Sequence, residues 1–480
     1  MQSPSSQPAP IRRVVLLEPE APGVHIYSRF GLPRLGVVLL GTILRELGFE
    51  VSVMVEAVRP FDLDLVRQAD LVGISAITPT AMRAFELADQ LRAGGQRVVL
   101  GGPHVTHLAD EGLEHADYVV RGEGEEALPA LIRALDGQLA LDAVPNLSFL
   151  RDGLAVHNTL AALQPDLDRW PTPDLTLVQG FGAMNLLGMR KIIPVQTSRG
   201  CPHDCSFCSV TTTFGRRMRY RSIERVRDEL LRYDLGKSMI FFYDDNFAAS
   251  PARAREVVAM LRTLPGKLHW SAQVRADIAR DPELLQEMRD AGCIQVYLGL
   301  ESVNQDSLDA ADKRQDLEQT REHIRRIHKV GIRVHGMFVF GFDTDGEGTL
   351  ERTVTFAREL ALSTVQFLIL TPLPGSRTYR ELEDQGRLLT RDWNRYDAHH
   401  VAFQPVGVSP AELQRWQMVG HDRYYKLWPT LMRWSIRDLI IAVYASRINK
   451  QWQVDNRDYL AELEVMSVPT VDEPIAQVAK

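Results

Sequence analysis

Short apolar, β-branched runs alternate with helical patterns along most of this 480-residue chain, and this alternation constrains the fold more than any other feature. Over residues 12–140 the pattern predicts five strands, at Val14–Leu17, Glu50–Val55, Leu71–Ile74, Arg97–Leu100 and Tyr118–Val120. Apolar residues recur every three or four positions between them, at Gly36–Leu47, Thr80–Ala93 and Glu125–Ala134. Such alternation predicts an α/β domain, a doubly wound parallel sheet with helices on both faces.

The alternation resumes from residue 191. Six strands are predicted, at Ile192–Gln196, Ser238–Tyr243, Leu268–Gln273, Gln295–Leu300, Arg333–Phe340 and Thr364–Leu370. Helical patterns separate these strands, so residues 191–385 are expected to form a (β/α)6-type partial barrel. Functional residues of such barrels gather at the carboxyl ends of the strands.

The remaining segments lack this alternation. Residues 141–190 are rich in Pro, Asp and Leu and have poor periodicity, which predicts a linker. Residues 386–465 read as a helical, aromatic-rich cap, and five of the seven tryptophans lie there. Residues 466–480 are expected to be a frayed tail.

Composition excludes several classes of protein. Lys and Arg number 55 against 62 Asp and Glu, and this net charge of −7 argues against a nucleic-acid partner. A hydrophobic content of 45% excludes a disordered chain. The polar start, Met1–Pro10, does not resemble a signal peptide, and no run of about 18 uncharged apolar residues occurs. A cytoplasmic location is therefore expected.

Three of the four cysteines fall within eight residues, directly after the first predicted barrel strand. Cys201, Cys205 and Cys208 could together hold an iron–sulfur cluster or zinc, because thiolates bind both. A structural zinc site needs four ligands, and the remaining Cys293 is far away in sequence. Three cysteines would leave one iron of a four-iron cluster open for another ligand. Cys293 itself is expected to be a buried packing residue.

This Cys-x3-Cys-x2-Cys loop, with Phe207 before its third cysteine, resembles that of the radical S-adenosylmethionine (SAM) enzymes. The resemblance implies that Cys201, Cys205 and Cys208 hold a 4Fe–4S cluster whose fourth iron binds SAM. It further implies reductive cleavage of SAM to a 5′-deoxyadenosyl radical, with electrons from an external donor such as flavodoxin or ferredoxin.

The resemblance also implies SAM contacts at the ends of later strands. Asp244 and Asp245 match the position that meets the amino group, although either could instead cap a helix. Arg275 would meet the carboxylate, with an ordinary surface ion pair as the alternative. Glu301 matches the ribose-binding position. Gly336 and Gly341 flank the fifth strand, where the backbone would pass the adenine, although glycine is common at strand ends.

An open α/β domain before such a barrel resembles the cobalamin-binding subgroup of this family. The resemblance implies a cobalamin site built from strand-end loops that contain Ser75, Gly101, Gly102, His104, Gly122 and Glu123. The Asp-x-His-x-x-Gly motif is absent from residues 1–150. Cobalamin would therefore bind without that histidine, or the domain has lost the cofactor. His104 could approach the corrin, or it could be an ordinary loop residue.

Two reaction classes follow from the resemblance. The first is cobalamin-dependent radical SAM methylation of a carbon, and the second is oxidative cyclisation of the kind performed by the anaerobic Mg-protoporphyrin ester cyclase group. A non-catalytic SAM- or corrinoid-binding protein is a third reading, but pure binding does not require a reducible cluster. The substrate is expected to be a small molecule, with a lipid, polyprenoid or tetrapyrrole as candidates.

Two further segments leave alternatives open. The aromatic and basic residues of the cap fit either a membrane-surface contact or simple packing over the barrel. The histidines in Tyr396–His400 and the arginines at 216, 217, 219 and 221 are expected at the protein surface, although either group could meet a substrate.

Overall fold

A computed structural model describes residues 10–23, 32–181, 191–426 and 436–466 of the protein, without the side chains of 436–439. The chain divides into two compact units: Met1–Pro22 with Gly31–Leu186, and Gly23–Phe30 with Leu187–Lys480. The predicted tail, apart from Met466, lies outside the described residues, as do Trp428 and Trp434 of the cap. None of the helices in the described part of the chain is both long enough and apolar enough to span a membrane.

The first unit is built on a seven-stranded sheet of order β2-β1-β3-β4-β5-β6-β7. Its strands are β1 (Arg13–Glu18), β2 (Glu50–Val55), β3 (Leu71–Ser75), β4 (Val98–Gly101), β5 (Tyr118–Val120), β6 (Leu147–Arg151) and β7 (Leu154–His157). The first five strands run parallel, in the doubly wound order that the sequence predicts. Strands β1, β3 and β4 are almost completely buried, as expected of a sheet with helices on both faces.

The helices of this unit follow the predicted alternation. They are α1 (Leu35–Glu46), α2 (Leu63–Val66), α3 (Ala81–Ala93), α4 (Pro103–His107), α5 (Ala109–His115) and α6 (Ala127–Leu135). Helix α1 buries one apolar side, which includes Val38 and Leu44. The helices therefore cover a core made by the strands.

The hairpin of β6 and β7 is a feature that the sequence prediction missed. Strand β6 pairs antiparallel with β5, and β7 pairs antiparallel with β6, so part of the predicted linker over 141–190 extends the first sheet. Leu150 and Leu154 are exposed, which obscures the alternation of buried and exposed residues that identifies a strand.

The second unit contains a six-stranded parallel sheet of order β15-β14-β13-β12-β11-β8. Its strands are β8 (Lys191–Val195), β11 (Ser238–Phe242), β12 (Trp270–Val274), β13 (Cys293–Glu301), β14 (Arg333–Phe340) and β15 (Thr364–Ile369). Because each strand pairs with the next one along the chain, this is the half-barrel that the sequence predicts. A short antiparallel pair, β9 (Ser198–Arg199) and β10 (Arg219–Tyr220), lies beyond the first strand.

Helices connect these strands and continue beyond the last one. They are α7 (Val210–Phe214), α8 (Ile223–Leu230), α9 (Pro251–Leu261), α10 (Pro282–Asp290), α11 (Gln305–Ala310), α12 (Leu317–Lys329), α13 (Thr349–Glu359), α14 (Arg377–Asp384), α15 (Pro410–Tyr424), α16 (Ile436–Asp455) and α17 (Arg457–Val465). Phe338 packs edge-on against Phe356 of α13, and Phe367 packs against His421 of α15. These contacts identify the face of the sheet that the helices cover.

Several aromatic residues of the predicted cap pack as core residues. Trp393, Trp416 and Trp452 are buried, and the ring of Trp416 lies 5.9 Å from that of Phe340. Ion pairs such as Arg415–Glu464 accompany this packing. For these residues the packing alternative is confirmed.

Two surface predictions are wrong. His399 and His400 are buried, because Asp397 binds His400 Nδ1 at 3.0 Å and Asn456 lies 2.6 Å from His400 Nε2. Arg219 and Arg221 are buried as well. Arg221 forms an ion pair with the buried Glu229 of α8, so this part of the arginine run is structural.

Candidate active site

The three clustered cysteines lie in one loop at the carboxyl end of β8. All three are free thiols, and each side chain is partly exposed. The backbone N–H of His203 donates to Cys201 Sγ, and that of Val210 donates to Cys208 Sγ. Amide donors to cysteine sulfur are among the contacts by which proteins adjust a bound iron–sulfur centre.

Gly200 determines how the chain enters this loop. Its φ is +94°, and a Cβ at this position would lie 2.7 Å from the carbonyl oxygen of Arg217. The next residue, Cys201, donates its N–H to the carbonyl of Gly215 at 3.3 Å. Only glycine permits both the left-handed backbone and the close approach of the returning chain.

Burial makes the thiols weak acids. Desolvation raises the pKa of Cys201 and of Cys205, and it raises the pKa of Cys208 to about 12. The charge of Lys313 partly opposes this effect at Cys205. A bound metal centre must therefore displace the thiol protons, because thiolates are the ligating form.

The donor set fits an iron–sulfur cluster, because cysteine thiolates are the ligands that hold such clusters. Three free thiols lie in one loop, and two of them accept backbone N–H bonds. Among the described residues, no group of three or more His, Cys, Asp or Glu side chains is close enough to surround one metal ion.

Asp244, at the end of β11, holds the segment that precedes the loop. Its side chain is 0% exposed. The carboxylate accepts the N–H of Thr197 at 2.9 Å and the hydroxyl of Ser198 at 2.7 Å, and it also accepts the N–H of Ser198 and the hydroxyl of Thr197. These contacts make Asp244 a positioning residue, whereas the sequence predicted a contact to the SAM amino group.

Asp245 differs from Asp244 in its exposure to solvent. Its side chain is exposed, in contrast to that of its neighbour. Partial desolvation, followed by the nearby charge of Asp244, raises the pKa of Asp245 to about 7. A bound ammonium group would favour the ionised carboxylate, so of the two aspartates Asp245 has the better placement for a cationic partner.

Arg275 and Glu301 lie at the ends of β12 and β13. Nη2 of Arg275 donates to the carbonyls of Lys313 at 2.9 Å and Arg314 at 3.1 Å, while its Nε lies 3.6 Å from Asp277. Glu301 accepts a hydrogen bond from Lys313 Nζ at 2.6 Å. Both predicted residues therefore contact the segment around Lys313, which sequence analysis did not select.

The two glycines of β14 have different surroundings. A Cβ on Gly336 would lie 2.6 Å from Leu362 Cδ1, so this glycine permits packing on the helix-covered side. Gly341 has φ +110° and donates its N–H to Asp345 at 2.8 Å. Gly341 thus turns the chain at the strand end, and Gly336 permits close packing against Leu362. The contact between this strand and the adenine stays a prediction.

The carboxyl edge of the first sheet brings together the loops predicted for cobalamin. Ser75 and Gly101 lie side by side at the ends of β3 and β4. Gly102 has φ +99°, and a Cβ there would lie 2.6 Å from the carbonyl oxygen of Ala76. Beyond β5, Gly122 donates its N–H to Thr106 Oγ1 at 2.9 Å, and the carbonyl of Glu123 accepts from Asn146 at 2.9 Å.

His104 does not project from this edge. It is 0% exposed, its Nδ1 lies 3.4 Å from Thr78 Oγ1, and its Nε2 lies 3.6 Å from a carboxylate oxygen of Glu111. This buried environment favours the structural alternative over a contact with the corrin.

Glu18 is a residue of this edge that the sequence analysis missed. It ends β1, is buried, and accepts the N–H of Arg34 at 2.8 Å. Desolvation raises its pKa. The sequence did carry a signal for this residue, which is a charge at the last position of an otherwise apolar strand. A carboxylate is rarely buried without a specific role.

Two domain families match the chain. Residues 195–357 match the radical SAM superfamily, and residues 24–132 match the B12 binding domain. The combination agrees with the predicted pair of domains and confirms the expected cofactors: a 4Fe–4S cluster, SAM and cobalamin.

Curated proteins with a similar sequence include two that act on tetrapyrroles. The bacteriochlorophyllide d C-12(1)-methyltransferase of Chlorobaculum tepidum is 31% identical over 349 residues, which are 72% of this chain and 72% of the relative. The anaerobic magnesium-protoporphyrin IX monomethyl ester cyclase of Cereibacter sphaeroides is 31% identical over 375 residues, which are 75% of this chain and 60% of the relative.

Solved structures agree on the fold. The cobalamin-dependent S-adenosylmethionine radical enzyme OxsB with aqua-cobalamin bound superimposes with a TM-score of 0.71 at 17% identity, covering 94% of this chain and 75% of that one. At this identity the likeness establishes the fold alone. With both domain matches and the 31% identity to a relative that is covered over 72% of its length, the chain belongs to the radical SAM enzymes that carry a B12-binding domain.

Proposed function

We propose that this protein is a cobalamin-dependent radical SAM C-methyltransferase whose cluster is held by Cys201, Cys205 and Cys208. The observation that carries the proposal is the loop of three free cysteines at a strand end, in a chain that also contains a B12-binding domain. When bound, the cluster supplies the electron that cleaves SAM to a 5′-deoxyadenosyl radical, and cobalamin carries the methyl group.

The residues at the barrel edge have separate tasks in this proposal. Asp245 binds the amino group of SAM, and Arg275 meets its carboxylate. Glu301 accepts from the ribose hydroxyls through the oxygen that Lys313 does not use. This division is supported by the surroundings of the two aspartates. The carboxylate of Asp244 already accepts hydrogen bonds from Thr197 and Ser198, whereas Asp245 is exposed.

Cobalamin would lie on the carboxyl edge of the first sheet. The loops at this edge contain a small residue, Ser75, and three glycines without side chains, Gly101, Gly102 and Gly122. Such residues allow a flat ring to lie close to the backbone. Because His104 is buried against Thr78 and Glu111, the proposed binding mode uses no histidine ligand from this position.

The face of the barrel sheet opposite the covering helices supports an uncharged substrate. It carries Phe241, Tyr297, His335 and Gln366, which alternate with residues on the helix-covered side. The rings of Phe241 and Tyr297 meet edge to face at 5.6 Å. Burial lowers the pKa of His335 to about 4, so this histidine is neutral near pH 7.

Strands β11, β12 and β15 contain no Asp, Glu, Lys or Arg, and β13 and β14 carry one only at an end. An aromatic, amide-bearing and uncharged surface suits the reacting part of a hydrophobic molecule, such as a tetrapyrrole, polyprenoid or other lipid. An external electron donor of the flavodoxin or ferredoxin kind would supply the electrons.

Anaerobic reconstitution with iron, sulfide and hydroxocobalamin tests the proposal. The loaded protein should contain a 4Fe–4S cluster and cobalt, cleave SAM, and transfer a deuterated methyl group from labelled SAM to an uncharged tetrapyrrole or lipid. A cluster without corrinoid would contradict the methyltransferase while leaving radical SAM chemistry intact. Cys205→Ala should retain the fold and lose SAM cleavage, and full activity there would contradict the cluster assignment.

The 31% identity to the cyclase of Cereibacter sphaeroides favours oxidative cyclisation as a second candidate. The same labelled-SAM experiment separates the two reactions. Cyclisation removes hydrogen from the substrate without adding the labelled methyl group, whereas methylation increases the substrate mass by the labelled group.

A further inference from the structure

The chain leaves β15 through a tight turn that begins α14. Gly375 has φ +88°, and the buried Ser376 caps the helix by accepting the N–H of Tyr379 at 3.1 Å. A helix that begins here has free backbone donors in its first turn. One of them, the N–H of Thr378, donates to the carbonyl of Ser206 in the cysteine loop at 3.1 Å.

Arg377 joins the same loop to a third segment. Its Nη2 donates to the carbonyl of Asp204 at 2.7 Å and to Oδ2 of Asp312 at 2.7 Å. Asp204 is the residue immediately before Cys205. One guanidinium nitrogen therefore connects the middle of the cysteine loop to the segment that follows α11.

That segment binds the loop directly as well. The N–H of Ser206 donates to the carbonyl of Ala311 at 3.1 Å. Cys205 thus lies between two residues, Asp204 and Ser206, whose backbones are held from outside the loop. Three hydrogen bonds from two separate elements involve the backbone groups of these two residues, and two of the three are made by the first two residues of α14.

We propose that Arg377 is a positioning residue for the proposed iron–sulfur cluster, and that it pre-organises Cys205 by fastening Asp204 to Asp312. The inference rests on the cluster assignment but not on cobalamin or methyl transfer. A loop that is already ordered loses less conformational freedom when it binds the cluster, so the cluster is retained longer. Because Arg377 is 40% exposed, the expected effect is moderate.

Arg377→Met keeps most of the side-chain bulk and removes the donors. The reconstituted variant should lose iron to a chelator about tenfold faster than the unmodified protein, the size expected when a charge-assisted hydrogen bond is lost. In the cluster-free full chain, amide exchange at Ser206 and Thr378 should also rise about tenfold, while exchange within β14 stays unchanged. Arg377→Lys keeps a charged donor and should recover part of both effects.

Arg380→Met is the matched control, because Arg380 is an exposed residue of the same helix. It should behave as the unmodified protein. Equal iron loss and equal Ser206 exchange in the two variants would overturn the proposal, and so would a uniform rise in exchange throughout the second unit. If the unmodified protein binds no cluster, the cluster assignment fails, and the exchange measurement still decides whether Arg377 orders the loop.

Discussion

Lys313 Nζ lies 2.6 Å from Oε1 of Glu301, and each side chain is only 10% exposed. The pair joins the end of β13 to the segment after α11. Glu301 and both neighbours of Lys313, Asp312 and Arg314, have positive φ values of 58°, 52° and 49°. Such backbone strain persists where surrounding contacts fix the chain, and here Arg275 binds the carbonyls of Lys313 and Arg314.

Removal of one partner of this pair should be costly. Lys313→Met leaves a buried carboxylate without its counter-ion, and the free energy of unfolding of the second unit should fall by about 3–5 kcal/mol. Glu301→Leu should cost a similar amount, whereas the double variant should lose much less than the sum. Urea unfolding of the cluster-free chain measures this cycle, and additive losses would contradict a coupled buried pair.

The thiols of the cluster-free chain should alkylate slowly at neutral pH. Burial raises the pKa of each of the three cysteines, so the reactive thiolate appears at higher pH than in an unfolded chain. Of these three, Cys208, with a pKa of about 12, should react last. The measurement is the iodoacetamide rate of each cysteine between pH 7 and pH 11 by mass spectrometry (roughly the span over which a thiol ionises), with urea-unfolded protein as the control.

Lys313 provides a specific check on this profile. Its positive charge lowers the pKa of Cys205, so Lys313→Met should move the Cys205 profile to higher pH. The main charge effects on Cys208 come from Cys205, Asp245 and Cys201. Its profile should therefore shift less than that of Cys205. A shift of both profiles by the same amount would indicate a general change in the loop.

Asp244 should make the stability of the fold depend on pH. Burial raises its pKa from 3.8 to about 6, so between these values the unfolded chain releases a proton that the folded chain retains. The unfolded state then binds fewer protons, and stability falls as pH rises through this window. Asp244→Asn removes this contribution, while the raised pKa of Asp245 still contributes a fall of the same sign. Thermal unfolding at pH 4, 5, 6 and 7 (roughly this window) should therefore show a steeper fall in the unmodified protein than in the variant.

Asp244→Ala tests the positioning role separately. The N–H groups of Thr197 and Ser198 would lose their acceptor, at a cost of about 1–3 kcal/mol for each group left unsatisfied in a buried position. Amide exchange at these two residues should increase more than at β13. Unchanged exchange there would mean that another group replaces the carboxylate.

The regular parts of this fold could be predicted because their signals are local. Glu50–Val55 and Arg333–Phe340 are strands with the predicted bounds, since apolar β-branched runs between turn signals are visible within a few residues. The order of the half-barrel strands follows from their succession along the chain. The cysteine spacing identified the loop for the same reason.

The missed features depend on partners that are distant in sequence. His400 is buried because Asn456, 56 positions later, meets its Nε2. Arg377 reaches Asp204, 173 positions earlier. Local periodicity and spacing do not predict contacts between residues so far apart in sequence. The burial of these side chains therefore could not be predicted from the sequence.

Cobalamin should bind the first unit without a nitrogen ligand from His104. The histidine is enclosed by Thr78 and Glu111, and its ring lies 5.8 Å from that of Phe85. His104→Gln should therefore retain the cobalt content of the unmodified protein. Ser75→Trp is the contrasting variant, because a large side chain at the end of β3 would occupy the edge where the corrin is proposed to lie. It should reduce the bound cobalt strongly.

Electron paramagnetic resonance of the reduced, cobalt(II) form directly tests whether a nitrogen atom binds the cobalt. A nitrogen ligand splits the cobalt lines, and the unmodified protein should show no splitting that depends on His104. Nitrogen splitting that disappears in His104→Gln would show that the loop after β4 rearranges to release this buried side chain. That outcome would contradict the binding mode proposed for the first unit, because the hydrogen bond to Thr78 and the contact with Glu111 would have to break when cobalamin binds.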